Sequence, residues 1–100
     1  MKPLRVLPAA EAELAEAIEW YEERRPGLGV DFLGSVDRVL QAIAGGPERY
    51  ATWAENPRFR RVVLERFPYL VFYHVAPDGP EIVAIAHAKR RPGYWLRRRG

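Results

Sequence analysis

Apolar positions in the second half of the chain follow the pattern of β-strands. Val62 to Leu64, Tyr69 to Val75 and Ile82 to Ala86 are rich in β-branched and aromatic residues, and short segments separate them. Arg66-Phe67-Pro68 and Ala76-Pro77-Asp78-Gly79-Pro80 are suited to turns, because proline fixes φ and Asp-Gly tolerates a tight reversal. The pattern predicts an antiparallel meander of three strands.

The middle strand of this meander is apolar on both faces. Its alternating residues fall on one face (Tyr69, Val71, Tyr73 and Val75) or on the other (Leu70, Phe72 and His74). We therefore expect it to lie centrally, with helices on one face and either the C-terminal tail or a partner chain on the other.

The first half of the chain is typical of helices after one short strand. Leu4 to Leu7 suits a strand that ends at Pro8. Helical spacing then predicts two amphipathic helices, the first over Ala9 to Arg25 and the second over Val30 to Ala44. Their apolar faces consist of Leu14, Ala17, Ile18 and Tyr21 in the first helix and Phe32, Val36, Val39, Leu40 and Ile43 in the second.

The connections set how these elements are arranged. Pro26-Gly27-Leu28-Gly29 stops the first helix, and so short a turn predicts an antiparallel hairpin. The glutamates at 11, 13 and 16 favour the positive end of the first helix.

Glu48 to Arg58 is predicted to be an irregular loop, in which Trp53 is most simply a lid on the edge of the core. We expect a single domain, residues 1–100.

The charge is unevenly distributed. Residues 1–50 carry six basic and nine acidic side chains, whereas residues 51–100 carry ten basic and four acidic side chains. No acidic residue follows Glu81, so the C-terminal end is strongly basic. A field of this sign favours a phosphate backbone or an acidic protein segment as partner.

Composition also excludes several classes of protein. The chain has no cysteine, which excludes disulfides, zinc-thiolate sites and thiol nucleophiles. It has no apolar run near the roughly 20 residues that cross a bilayer and no signal-peptide pattern, so we expect a cytoplasmic protein without a membrane partner. No motif indicates a cofactor.

An ordered set of short motifs spreads over nearly the whole chain. They are Trp20-Tyr21-Glu22, Pro26-Gly27-Leu28-Gly29, Phe32-Leu33, Arg60-Arg61, Phe67-Pro68-Tyr69 with Tyr73, and His87 followed by Arg90-Arg91-Pro92-Gly93-Tyr94-Trp95. In this set the sequence resembles toxins of the RelE/ParE superfamily of bacterial type II toxin–antitoxin modules, and it is most similar to the ParE-like branch.

The resemblance implies a two-layer α+β fold, with an N-terminal strand, an antiparallel helical hairpin and an antiparallel β-meander in the order β-α-α-β-β-β. It also implies a cognate antitoxin that blocks the toxin, and either a toxin–antitoxin hetero-oligomer or a homodimer. The activity it implies is either poisoning of DNA gyrase or ribosome-dependent cleavage of mRNA.

RelE-like nucleases place cations along the first two meander strands, with an arginine and a tyrosine after the last strand. Arg61 keeps one of these cations, but Val63 and Leu70 stand where others are expected. Arg90 and Tyr94 resemble the later pair, although their spacing is shorter than in the RelE pattern. The implied catalytic set is therefore incomplete.

A second set could substitute for it. His87 could act as base, Arg90 and Arg91 as phosphate clamps, and Tyr94 as proton donor. Alternatively, His87 caps the last strand by bonding to backbone, and His74 is a structural mid-strand residue. Two histidines without carboxylate or cysteine neighbours at ligand spacing do not indicate a metal site.

With this incomplete set, the sequence favours a ParE-type toxin that binds gyrase. Candidate partner-binding residues, which combine arginine with aromatic side chains, are Arg90, Arg91, Tyr94, Trp95, Arg97, Arg98 and Arg99. The alternative is a solvated basic tail whose Tyr94 and Trp95 pack on the sheet. The same surface could instead bind an acidic antitoxin segment, and the chain could be an inactive basic binding module.

Overall fold

The computed structural model describes residues 3–98. Its elements are β1 (Arg5–Val6), α1 (Pro8–Arg24), α2 (Leu28–Gly45), β2 (Thr52–Trp53), β3 (Asn56–Val63), β4 (Tyr69–Ala76) and β5 (Gly79–His87). This order confirms the α+β class and the sequence of strand, helical hairpin and meander.

The two helices form a close hairpin because of the residues at its turn. Pro8 occupies the first turn of α1, where its missing N–H is not needed. Gly27 precedes α2 with a φ of 90°, and Glu22 of α1 accepts hydrogen bonds from the amides of Gly27 and Gly29 at 2.9 and 3.0 Å. A Cβ at Gly29 would lie 2.6 Å from the carbonyl oxygen of Ile18, so only glycine permits this approach. Within residues 3–98, neither helix is long and apolar enough to cross a membrane.

The five strands form one mixed sheet in the order β1-β5-β4-β3-β2. β1 pairs with β5 in parallel, and the other neighbours are antiparallel. The prediction of an irregular loop from Glu48 to Arg58 was wrong, since β2 lies in this segment and β3 begins at Asn56. Polar residues fill the first half of β3, where only Phe59 is buried, so apolar alternation could not reveal it. The meander therefore has four strands instead of three.

The sheet carries an apolar core on each face. The first core lies against the helices and includes Ala17, Tyr21, Phe32, Val36, Ile43, Val71, Tyr73, Ile82 and Ile85. The second core contains Leu7, Trp53, Phe59, Phe72, Val83, Ala84, Ala86 and Trp95. β4 lies between β3 and β5 with apolar residues on both faces, as its sequence predicted.

Candidate functional site

The chain leaves the sheet after β5 as a tail of residues 88–98, which form turns without a further helix or strand. Four tail amides donate to carbonyl oxygens three residues earlier; these are the bonds from Arg90 to His87, Tyr94 to Arg91, Leu96 to Gly93 and Arg98 to Trp95, at 3.0–3.3 Å. Gly93 has a φ of 83°, which allows the chain to reverse there. Side chains must therefore attach this tail to the body.

Trp95 is the apolar anchor of the tail. Its side chain is 1% exposed, and its ring lies 4.6, 4.7 and 5.3 Å from the rings of Phe72, Phe59 and Trp53. Its indole Nε1 is buried, and none of residues 3–98 accepts a hydrogen bond from it. The tail thus covers the sheet face opposite the helices, which was one of the two covers expected. A direct role for Trp95 in partner binding stays a prediction, and this burial favours an indirect role.

Glu13 of α1 is the polar anchor of the tail. Its carboxylate, with the side chain 12% exposed, accepts hydrogen bonds from the Tyr94 hydroxyl and from the Arg98 guanidinium. Two nitrogens of Arg98 donate to the two carboxylate oxygens at 2.7 and 3.1 Å, a bidentate geometry. The backbone amide of Ile85 on β5 also donates to Glu13, at 3.0 Å. One carboxylate therefore joins helix, sheet and tail.

The environment of this carboxylate changes the acidity of its partners. Burial raises the pKa of the Tyr94 hydroxyl, and the hydrogen bond to Glu13 raises it further. The hydrogen bond to Glu13 likewise raises the pKa of Arg98. Arg90 lies 3.7 Å above the Tyr94 ring and 3.8 Å from a Glu13 oxygen, while its side chain is 54% exposed. The Tyr94 hydroxyl thus stays protonated, and the Tyr94 ring packs against the exposed guanidinium of Arg90.

Arg61, His87, Arg90 and Tyr94, a set of four drawn from the two alternative catalytic predictions, line one cavity of about 130 Å³. Arg91 and Trp95 line the same cavity. Within residues 3–98 no hydrogen bond joins two members of the set side chain to side chain. The Nδ1 atom of His87 accepts the Lys89 amide at 3.0 Å, so this histidine does bond to backbone at the end of β5.

Of the remaining predicted residues, those that the structure describes lie on other parts of the surface. Arg97 and Arg98 border a second depression together with Arg58 and His74. The Nε2 atom of His74 lies 2.8 Å from a Glu81 oxygen, which gives this histidine a structural partner. Arg99 lies outside the described residues. Among residues 3–98 no three histidine or carboxylate side chains group as metal ligands.

Glu13 is the residue that sequence reasoning missed, since it was counted only as a charge near the start of a helix. One signal could have indicated it. Ala10, Glu13 and Ala17 follow each other at spacings of three and four residues, so Glu13 stands on the buried face of α1. Glu11, Glu16 and Glu19 are all exposed. A carboxylate on an apolar face requires a partner, and a basic tail could have supplied it.

Comparison with known proteins fixes the family. The sequence profile described as "ParE toxin of type II toxin-antitoxin system, parDE" matches residues 4–92. The chain belongs to the ParE toxin family. A chain of the chromosomal ParDE system from P. aeruginosa has the same fold, with a TM-score of 0.79 and 20% identity over 89% of this chain and 98% of that one. No curated protein matches the sequence.

Membership makes the protein a ParE-family toxin of a type II toxin–antitoxin system and implies a ParD antitoxin as partner. The match ends at Pro92. Tyr94, Trp95 and Arg98, which attach the tail, lie beyond it, whereas Glu13 lies within it.

Proposed function

We propose that this ParE-family toxin binds and poisons DNA gyrase, and that its tail is the surface that contacts gyrase. The observation that carries the proposal is the presentation of cations on an anchored segment. Arg90, Arg91 and Arg97 are exposed, whereas Trp95 is buried and Tyr94 is half-buried between them. Arginines held by fixed aromatic neighbours are suited to be interface anchors, because little conformational freedom is lost on binding.

The chemistry of Tyr94 also supports binding over RNA cleavage. Its hydroxyl already donates to Glu13, and its raised pKa makes it a weaker acid, so the role of proton donor in RNA cleavage is disfavoured. Val63 and Leu70 leave the RelE cation positions without charge. The shared cavity of Arg61, His87, Arg90 and Tyr94 is the one observation that favours a nuclease, which is therefore the second candidate.

Growth and supercoiling assays test the proposal. Expression of the chain alone should arrest growth, and coexpression of its ParD antitoxin should restore growth. Purified toxin should inhibit supercoiling by gyrase. Site-specific mRNA cuts on stalled ribosomes, abolished by His87→Ala, would support the nuclease instead. Good expression without arrest, with salt-dependent binding to any nucleic acid, would indicate an inactive basic binding module.

A matched pair of variants tests whether the tail is the contact surface. Arg91→Glu/Arg97→Glu reverses two exposed tail charges, and Arg25→Glu/Arg49→Glu reverses two exposed charges elsewhere. Within residues 3–98 none of these four side chains has a hydrogen-bond or ion-pair partner, so both variants should fold. We expect the tail variant to need at least about tenfold more protein for half-inhibition. Equal loss in both variants would contradict a specific tail contact.

A further inference from the structure

In the part of the chain that the structure describes, residues 3–98, the outer edge of β5 has no partner strand along most of its length. There β1 pairs with β5 only at Glu81 and Ile82, and the Leu7 amide donates one hydrogen bond to the Ile82 carbonyl before α1 begins. Buried backbone groups on an open edge need other partners. Glu13 supplies one by accepting the Ile85 amide.

Arg98 supplies the other partner on this edge. Its guanidinium donates to the Val83 carbonyl oxygen at 3.1 Å while it pairs with Glu13. Val83 has no partner in the register of β4 and β5, in which Phe72 faces Ala84 and Tyr73 faces Ile82. The Glu13–Arg98 pair therefore occupies the place of an edge strand and binds the end of the tail to the sheet.

Few other contacts hold the tail. Within residues 3–98, apart from the turn bond from Arg90 to the His87 carbonyl, two tail amides donate to the body of the protein: that of Ala88 to the Pro68 carbonyl at 2.7 Å and that of Lys89 to the His87 Nδ1 atom at 3.0 Å. Beyond Lys89 the main attachments are Trp95 on one face of the sheet, and the contacts of Glu13 with the bond from Arg98 to the Val83 carbonyl at its edge.

We propose that Glu13 is the positioning residue of the gyrase-contacting surface, an inference that rests on the proposed function. Through Tyr94 it holds the ring on which Arg90 stacks, and through Arg98 it fixes the residue next to Arg97. Glu13 therefore sets the positions of cations on both sides of Trp95 without contacting the target itself. Removing it frees these cations and takes the acceptor from the Ile85 amide, while the backbone hydrogen bonds between strands and within the helices remain.

The first measurement tests the attachment itself. Amide hydrogen exchange is followed in the full chain for wild type, Glu13→Ala, Glu13→Gln and the control Glu19→Gln, which removes an exposed charge from the same helix. In Glu13→Ala the amides of Tyr94, Leu96 and Arg98 should exchange at least about tenfold faster, the factor that corresponds to one hydrogen bond to a charged group. The amides of β4 should be unchanged. Unchanged exchange in the tail would overturn the inference.

The second measurement tests positioning. Half-inhibitory concentrations against gyrase should rise in the order wild type, Glu13→Gln, Glu13→Ala, in parallel with tail exchange, and Glu19→Gln should equal wild type. Glu13→Gln keeps the size of the side chain, so it remains informative if Glu13→Ala fails to fold. Faster tail exchange with unchanged inhibition would overturn the positioning role. If wild type does not inhibit gyrase although tail exchange responds to Glu13, the proposed function fails and the attachment stands.

Discussion

The two faces of the sheet are covered in different ways. On one face, α1 and α2 lie against Val71, Tyr73, Ile82 and Ile85. Helices satisfy their own backbone groups and contribute a row of side chains, so no single residue holds them. On the other face, a short tail of turns covers the second core chiefly with Trp95.

Under the proposed function, this difference separates the residues that stabilise the fold from those that contact gyrase. A cover held by many residues loses only part of its stability when one of them is replaced. When it does unfold, the whole domain unfolds with it. A cover that rests on Trp95 and Glu13 can open while the remainder stays folded, because loosely attached segments open at lower free energy than the core. The cations proposed to contact gyrase lie on the second kind of cover.

The largest effect is expected on the helical face. Phe32 is fully buried, and its ring lies 4.9–5.1 Å from those of Tyr21, Phe67 and Tyr69. Phe32→Ala should lower the free energy of unfolding by about 3–5 kcal/mol, measured by urea denaturation. Leu33→Ala is the control, since Leu33 is 43% exposed, and it should change stability by less than about 1 kcal/mol. Similar values for the two variants would contradict the assigned first core.

A smaller loss of stability with a complete loss of inhibition is expected on the tail face. Trp95→Ala should lower the free energy of unfolding by about 2–3 kcal/mol, below the usual cost of removing a buried aromatic ring, because the tail can detach alone. Urea denaturation and gyrase inhibition measure the two effects. Trp95→Phe should cost less than about 1.5 kcal/mol, since it also removes the indole N–H that has no acceptor. Full inhibition by Trp95→Ala would remove the functional distinction between the faces.

The smallest effect depends on pH. Tyr94→Phe removes one hydrogen bond to a carboxylate and should cost about 1–2 kcal/mol at pH 8. The pKa of Tyr94 is raised in the folded protein, whereas in the unfolded chain it is about 10. Above pH 10 the Tyr94 hydroxyl therefore loses its proton in the unfolded wild type while it keeps it in the folded protein. This difference lowers the free energy of unfolding of the wild type by up to about 1.4 kcal/mol per pH unit. The gap between wild type and variant should narrow from pH 10 to 11 in urea denaturation; parallel curves would refute the assignment.

Most of the fold could be predicted because its elements are periodic. The spacing of apolar residues gave both helices to within two residues at each end, with the same antiparallel hairpin. The first half of β3 and all of β2 could not be predicted, since Thr52, Pro57 and Arg58 are exposed and carry no alternation. These segments pair with each other, Thr52 with Arg60 and Trp53 with Asn56, and such pairing is tertiary context that propensity does not contain.

The candidate site was harder to predict than the fold. The tail was identified by its charge and aromatic residues, and Arg90, Arg91 and Arg97 are indeed exposed there. Sequence separation hid the part played by Glu13, which meets Arg98 across 85 residues. No local pattern encodes such a contact. A buried carboxylate can be suspected from the face of its helix, but its partner is determined only by the folded topology.

β1 is only two residues long, yet its place in the sheet sets a condition on synthesis of the toxin. Arg5 on β1 is hydrogen-bonded to Glu81 on β5, 76 residues later. The first strand thus cannot be placed until the last strand has been made, and contacts of this separation form slowly. A chain interrupted before Gly79 would lack both the strand that completes the sheet and the tail that follows it. Under the proposed function, only chains that have been synthesised through β5 and the tail can be toxic.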